Sequence, residues 1–145
     1  MADPVTIALS AAKVAYSGCR ELYSTVKGIK EAPLHIRYVF LELESLYAVL
    51  GNLTTVLHSV KVSTDDEAIG ILLDTVRPVL DNCISLFKDI RLIVNPFLEL
   101  NGNVIADVWE GFKWDKFKKG EVQLLKDQLS NTKETLTLSL NTLIV

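Results

Sequence analysis

The sequence has few cysteines and no excess of positive charge, and each absence excludes a class of protein. The two cysteines, Cys19 and Cys83, lie far apart inside apolar runs. We therefore expect them to behave as small buried hydrophobes in a reducing compartment, not as a disulfide or a metal site. The net charge is −3. Because neutralising phosphates requires a basic surface, this balance argues against binding to nucleic acid.

Targeting and membrane-spanning segments are also missing from the pattern. The opening MADPVTIALSAAK lacks the basic segment that precedes the apolar part of a secretory signal. No uninterrupted apolar run approaches the ~20 residues that cross a bilayer. The sequence therefore predicts a cytoplasmic chain.

Catalytic motifs are the third absence. There is no P-loop, GxSxG, CxxC or HExxH pattern. His35 and His58 lie too far apart along one predicted helix to bind one metal ion. Glu42 and Glu44 are expected on a solvated helix face. These observations predict a protein that is not an enzyme and has no catalytic residues, cofactor or metal.

Helical periodicity is the main positive signal. A first helix is predicted from Asp3-Pro4 to about Ala32, because Pro33 disfavours helix in the residue before it. A second helix from Pro33 to Val60 carries apolar residues that alternate steps of three and four, which predicts a heptad seam packed in a core. The seam consists of Ile36, Val39, Leu43, Leu46, Leu50, Leu53, Leu57 and Val60.

Two further long helices and a shorter one complete the prediction. The third begins at the capping box Thr64 to Glu67 and ends at Asn95-Pro96. The shorter helix covers Val104 to about Lys116, and Gly120 precedes the last helix. Long helices joined by short turns predict an all-α, elongated, up-and-down bundle, with residues 1–145 as a single domain.

A cluster of aromatic and basic residues lies before the last helix, and two interpretations of it remain open. Indole rings favour a membrane interface and lysines favour anionic lipid, so the cluster is a candidate lipid or partner patch. Alternatively, the aromatic rings pack the shorter helix onto the bundle while the lysines stay in water. The patch residues are Trp109, Lys113, Trp114, Lys116, Lys118 and Lys119.

The whole chain resembles one known family. The opening MADPVTIALSAAKVAYSGCRELYSTVKGIKEAP, the helix HIRYVFLELESLYAVLGNL, the segment VLDNCISLFKDI and the closing FKWDKFKKGEVQLLKDQLSNTKETLTLSL are similar to the HeLo-like N-terminal domain of fungal STAND receptors. The resemblance implies a cytosolic signalling or effector domain at the start of a larger NOD-like receptor. Nucleotide-binding (NACHT-type) and repeat modules would follow it in the same chain.

The resemblance also implies a mode of action. Related helical bundles cause programmed cell death by self-association and by engaging membranes, and their first helix enters the bilayer. The corresponding effector positions here are Ile7, Leu9, Ala11, Val14 and Tyr16. In the resting bundle we expect Ile7, Ala11, Val14 and Leu22 to lie against neighbouring helices. This chain departs from the family because Lys13 interrupts an alanine-rich helix. A different hypothesis is a dimerising adaptor bundle without membrane activity, which the heptad seam and the ordinary net charge favour.

Overall fold

The computed structural model describes residues 4–29, 34–59, 67–98 and 116–144, which form four long helices. Helix α1 covers Pro4–Val26, α2 Leu34–Ser59, α3 Glu67–Leu98 and α4 Lys116–Ile144. Only residues 27–29 of these ranges lie outside a helix, and none forms a strand. This confirms the predicted all-α bundle. The shorter helix predicted before α4 lies outside the described residues, apart from Lys116.

The four helices occupy the corners of a square. Among the described residues, α1 contacts α2 and α3, and α4 contacts the same two helices. Helices α2 and α3 therefore lie at opposite corners although they follow each other in the chain. Consecutive elements are usually adjacent in space, and α2 and α3 depart from that rule. The diagonal arrangement instead places α1 in the groove between α2 and α3.

Side-chain contacts give the helix directions. Tyr16 of α1 lies beside Tyr47 of α2, and three residues further along α1 Cys19 lies beside Leu43, so α1 and α2 are antiparallel. Glu42 of α2 pairs with Lys133 of α4, and Tyr38 lies under Lys126, so α2 and α4 are parallel. Leu92, late in α3, lies near Leu124, early in α4, whereas Asn82, earlier in α3, lies near Asn131, later in α4. Helices α3 and α4 are therefore antiparallel. The direction alternates along the chain, as the up-and-down prediction requires.

The core is continuous and rich in leucine. Seven members of the α2 seam are at most 4% exposed, and Leu43, Leu46, Leu50 and Leu53 are completely buried. Val60, the eighth member, lies outside the described residues. Around this seam pack Val76, Cys83 and Ile90 of α3 and Val122, Leu129 and Leu136 of α4. Their steps of three and four place one face of every helix toward the centre.

Several predicted helix boundaries were wrong. Helix α1 ends at Val26, not near Ala32, because the chain enters a turn containing Gly28 in which the Ile29 amide donates to the Val26 carbonyl at 2.9 Å. Helix α3 continues two residues beyond Pro96, since a proline in the last turn removes only one helical hydrogen bond. Helix α4 already includes Gly120, where an exposed glycine costs about 1 kcal/mol and does not break the helix.

Helix α2 also corrects the expectation about membrane-spanning length. Residues Ile36–Ser59 form the one helix of the described ranges that is long and apolar enough to cross a membrane, with a mean hydropathy of 1.2. Length and composition alone give this result, and core helices pass the same test. The helix combines a wholly apolar seam with an exposed side that includes Arg37 and Glu44, and these polar residues interrupt the apolar run in the sequence.

Candidate functional site: the first helix and its tyrosine cluster

Helix α1 contacts the rest of the bundle through a stripe of mostly small side chains. The stripe repeats in steps of three and four residues and faces the groove between α2 and α3. Three of its members are alanines, so the area that each buries is small compared with a leucine of α2. The buried stripe consists of Val5, Ala8, Ala12, Ala15, Cys19, Leu22 and Val26.

The predicted effector residues of α1 lie beside this stripe and not within it. Ile7, Leu9, Ala11 and Tyr16 are half-buried, whereas Val14 is 59% exposed. The expectation that Val14 lies against a neighbouring helix was therefore wrong. Successive residues are 100° apart on a helix, so Val14 is on the side opposite Ala12. An alanine-rich sequence left two adjacent stripes equally plausible.

Three tyrosines form a cluster across the α1–α2 contact. The hydroxyls of Tyr16 and Tyr47 share a hydrogen bond of 3.0 Å, and their rings stack with centroids 5.0 Å apart. Tyr23, two turns further along α1, stacks on the same Tyr47 ring at 5.9 Å. The hydrogen bond to Tyr16, followed by burial, raises the pKa of Tyr47. The cluster thus joins α1 and α2 through ring stacking and a side-chain hydrogen bond.

Gly51 explains how the Tyr16 ring reaches α2. A Cβ atom at position 51 would lie 3.3 Å from Cε2 of Tyr16, which is tighter than ordinary carbon contact. The glycine therefore leaves room for the aromatic ring against the α2 backbone. In the sequence Gly51 only weakens a helix, and nothing local indicated its partner. The antiparallel register of α1 and α2 is needed to bring the two residues together.

The two cysteines lie at the contact of α1 with its neighbours. Both thiols are free and buried, and Cys19 Sγ lies 3.6 Å from the Leu43 carbonyl oxygen. Burial raises the pKa of Cys19 from 9.0 to about 12 and that of Cys83 to about 12. Because the thiolate is the reactive form, both thiols are protected as long as α1 is docked.

Charged contacts at the site are few. Glu42 accepts a hydrogen bond of 2.9 Å from Lys133, and both side chains are about three-quarters buried, so the prediction of a fully solvated Glu42 was wrong. Arg91 of α3 and Glu21 of α1 are 4.0 Å apart and exposed, a pair that contributes at most about 1 kcal/mol. Within the described ranges, no group of three His, Cys, Asp or Glu side chains is placed to hold a metal ion.

The predicted lipid or partner patch is largely outside the described residues. Trp109, Lys113 and Trp114 are not described at all. Lys116, Lys118 and Lys119 belong to the first turn and a half of α4, but the placement of their side chains is not described. The patch therefore remains a prediction from sequence.

These features define a class: an all-α bundle of four long helices whose first helix is attached by small side chains and a tyrosine cluster. The chain matches no protein-family model, no curated protein and no solved structure. The function proposed next accordingly depends on this chain's own residues and on the resemblance described above.

Proposed function

We propose that this chain is the N-terminal helical signalling or effector domain of a fungal NOD-like (STAND) receptor. It acts in programmed cell death or immunity through self-association, followed by engagement of an anionic membrane. Nucleotide-binding and repeat modules of the same receptor are its partners in the chain, and the resting location is cytoplasmic. The proposal assigns it no enzymatic activity, cofactor or nucleic-acid partner.

The small side chains of the buried α1 stripe are the observation that carries this proposal. Full burial of a leucine contributes about 1.5–3 kcal/mol, whereas the single methyl group of an alanine contributes about 0.8 kcal/mol. Helix α1 buries three alanines where α2 buries five leucines. The α1 stripe therefore contributes less burial energy than the α2 seam, and low local stability is a property of elements that move.

A released α1 is suited to a membrane surface. Its core face becomes the apolar face of an amphipathic helix, with Lys13, Ser17 and Arg20 on the opposite side. Such a helix lies in the interface and does not span the bilayer. One copy binds weakly, but several copies held together by an assembled receptor gain affinity from their high effective concentration. The predicted lysine patch would add attraction to anionic lipid.

The experiment expresses the chain in fungal cells, fused to a module that oligomerises on addition of a small molecule. We expect oligomerisation to move the protein to membranes and to kill the cells. Val14→Asp places a charge beside the half-buried Ile7 and Ala11, at the margin of the apolar residues of α1. It should not disturb the bundle, since Val14 is exposed. This variant should abolish both effects and should also abolish binding to anionic liposomes. The parent protein should bind neutral liposomes less than anionic ones.

Ser17→Asp is the matched control, because it adds the same charge at an exposed position in the centre of the polar face. It should leave membrane binding and cell death intact. Equal toxicity of the two variants, or survival of cells with the oligomerised parent protein, would refute the membrane role of α1.

An adaptor bundle without membrane activity is the second candidate. The observation that favours it is the burial of the α1 stripe, since Ala12, Ala15 and Cys19 are completely buried and already serve the core. Under this hypothesis oligomerisation recruits a protein partner, and the Val14→Asp variant behaves like the parent protein.

A further inference from the structure

Charge of one sign covers the outer face of α1. Lys13, Arg20 and Lys27 are exposed, and their steps of seven residues, close to two helical turns, place them in one row. Lys27 directly follows α1, and its amide still makes the helical hydrogen bond to the residue four positions earlier. Glu21 is the one acidic residue of α1, and it lies 4.0 Å from Arg91 of α3. We call the row of three cations the basic face.

Charge of the opposite sign covers the outer face of α4. Within the described side chains of this helix, every charged residue that is exposed is acidic, and we call these residues the acidic face: Glu121, Asp127 and Glu134. The two described lysine side chains are turned toward α2 instead. Lys126 lies 5.0 Å from the centre of the Tyr38 ring, and Lys133 pairs with Glu42 at 2.9 Å. Each helix thus presents a single sign outward, because its opposite charges are engaged by neighbouring helices.

These two faces lie at opposite corners of the bundle and at matching heights. Among the described residues α1 and α4 each contact α2 and α3 but not each other. Arg20 follows Cys19, whose Sγ lies 3.6 Å from the Leu43 carbonyl oxygen, and Glu134 follows the lysine that pairs with Glu42. Both charges therefore lie at the level of the same turn of α2. A second copy displaced along the diagonal of the bundle, without rotation, brings Arg20 opposite Glu134.

We propose that the basic face of one copy binds the acidic face of a second copy. Helix α1 is antiparallel to α2, and α2 is parallel to α4, so α1 of one copy runs antiparallel to α4 of the next. The residue seven positions after Arg20 then lies opposite the residue seven positions before Glu134. Lys27 and Asp127 form this second pair, about 10 Å from the first along the helix axes. One displacement thus satisfies two pairs of cation and carboxylate.

The contact propagates and does not close. The two faces differ and lie at opposite corners, so a copy that has bound one neighbour still offers its other face to a further copy. The result is a linear array of chains in one orientation. The array uses the exposed side of a docked α1, so it forms before α1 is released. It brings several copies of α1 together, which the proposed function requires, and in this respect the inference rests on that function.

Charge complementarity favours a second copy over other occupants. An anionic membrane or a nucleic acid would use the basic face alone and leave the acidic face without a partner, whereas a second copy satisfies both faces with one kind of contact. Arg37 and Glu44, exposed on α2, have opposite signs and leave this balance unchanged. Exposed ion pairs are individually weak and are screened by salt. Free chains should therefore associate only at high concentration and low salt, and receptor assembly would supply the concentration.

Charge reversal in two separate chains tests the contact, with sedimentation equilibrium as the measurement. In low salt the average mass of the parent chain should rise with concentration above the 16.1 kDa of the monomer, and high salt should reverse the rise. Arg20→Glu places like charges opposite each other at the first pair, and so does Glu134→Arg. Each variant alone should therefore stay monomeric. Mixed in equal amounts, the two variants should associate again, because every contact between unlike chains pairs opposite charges.

Arg77→Glu is the matched control. It makes the same change in net charge as Arg20→Glu at an exposed position of α3, outside both faces, and should associate like the parent chain. A parent chain that is monomeric at every concentration in low salt would overturn the proposal, as would a mixture of the two variants that stays monomeric. Association of either single variant equal to that of the parent would mean a different surface, and an average mass that levels off at a dimer would rule out the array.

The outcomes distinguish this proposal from the proposed function, because the fused module brings copies together without the two faces. If the parent chain stays monomeric while the enforced oligomer kills cells, the array is wrong and the effector role stands. If the mixed variants associate while the enforced oligomer is harmless, the contact is correct and the effector role is wrong.

Discussion

Leu46 illustrates how single residues hold the bundle together. It is completely buried at the centre of the α2 seam, so Leu46→Ala removes three carbon atoms from a packed interior. We expect a loss of about 2–5 kcal/mol in the free energy of unfolding, measured by chemical denaturation. Glu44→Ala changes an exposed position two residues away and should alter stability by less than about 0.5 kcal/mol. Equal effects of the two substitutions would show that the seam is not core.

Because of the two buried cysteines, the free energy of unfolding should depend on pH in the alkaline range. Their pKa is about 12 in the folded state and 9.0 is the ordinary value, so between pH 9 and 12 the unfolded chain loses thiol protons that the folded chain keeps. The contribution of the thiols to stability is complete below pH 9 and is lost as the pH rises toward 12. Each pKa unit corresponds to about 1.4 kcal/mol, which makes the total loss of order several kcal/mol.

A Cys19→Ala/Cys83→Ala variant isolates this effect, because lysines and tyrosines titrate in the same range in both proteins. The free energy of unfolding of the variant should fall less steeply between pH 9 and 12. Parallel pH profiles for variant and parent would contradict the burial of the thiols.

At the scale of the helix, the tyrosine cluster controls how often α1 undocks. Tyr16→Phe keeps the stacked ring but removes the hydrogen bond to Tyr47, a loss of about 0.5–1.5 kcal/mol. With Cys83→Ala as background, Cys19 becomes the only thiol and reacts with a labelling reagent only when α1 opens. We expect Tyr16→Phe to accelerate that labelling about 2- to 10-fold.

Tyr23→Phe is the control for this measurement, because Tyr23 contacts Tyr47 through its ring and loses no part of that stacking. It should label at nearly the parental rate. A Tyr16→Phe chain that labels no faster than the Tyr23→Phe chain would show that the hydroxyl pair does not hold α1.

Comparison of the helices shows what the sequence could and could not predict. The α2 seam was readable because leucine and β-branched residues repeat without interruption, and one periodic stripe dominates. In α1 the small residues permit two neighbouring stripes, one through Ala12 and Ala15 and one through Ala11 and Val14. The first is the buried stripe, so the prediction for Val14 was wrong. In α3 the pattern Leu72-Leu73 and Val79-Leu80 had the same ambiguity, and the second residue of each pair is the buried one.

The candidate site was harder to predict than the fold. The contacts of Tyr16 with Tyr47 and Gly51, and of Glu42 with Lys133, join residues that are far apart in sequence. They depend on the register between helices, which periodicity within one helix does not encode. The diagonal placement of α2 and α3 likewise follows from packing of whole helices. The effector role came only from the family resemblance and stays a prediction.

At the scale of the whole molecule, α1 can leave without dividing the rest of the bundle. Helix α4 contacts both α2 and α3, so these three remain joined when α1 leaves. Helix α1 has no contact with α4 among the described residues. Undocking of α1 therefore opens one groove of the bundle and leaves the other three helices packed together.

Hydrogen–deuterium exchange of the backbone amides, before and after enforced oligomerisation, tests the release of α1 most directly. In the resting chain the amides of α1 should exchange faster than those of the α2 seam, because its docking is weaker. After oligomerisation on anionic liposomes, α1 should lose its bundle protection and Cys19 should become reactive, while α2 and α4 stay protected. Protection of α1 equal to that of α2 in both states would contradict the account.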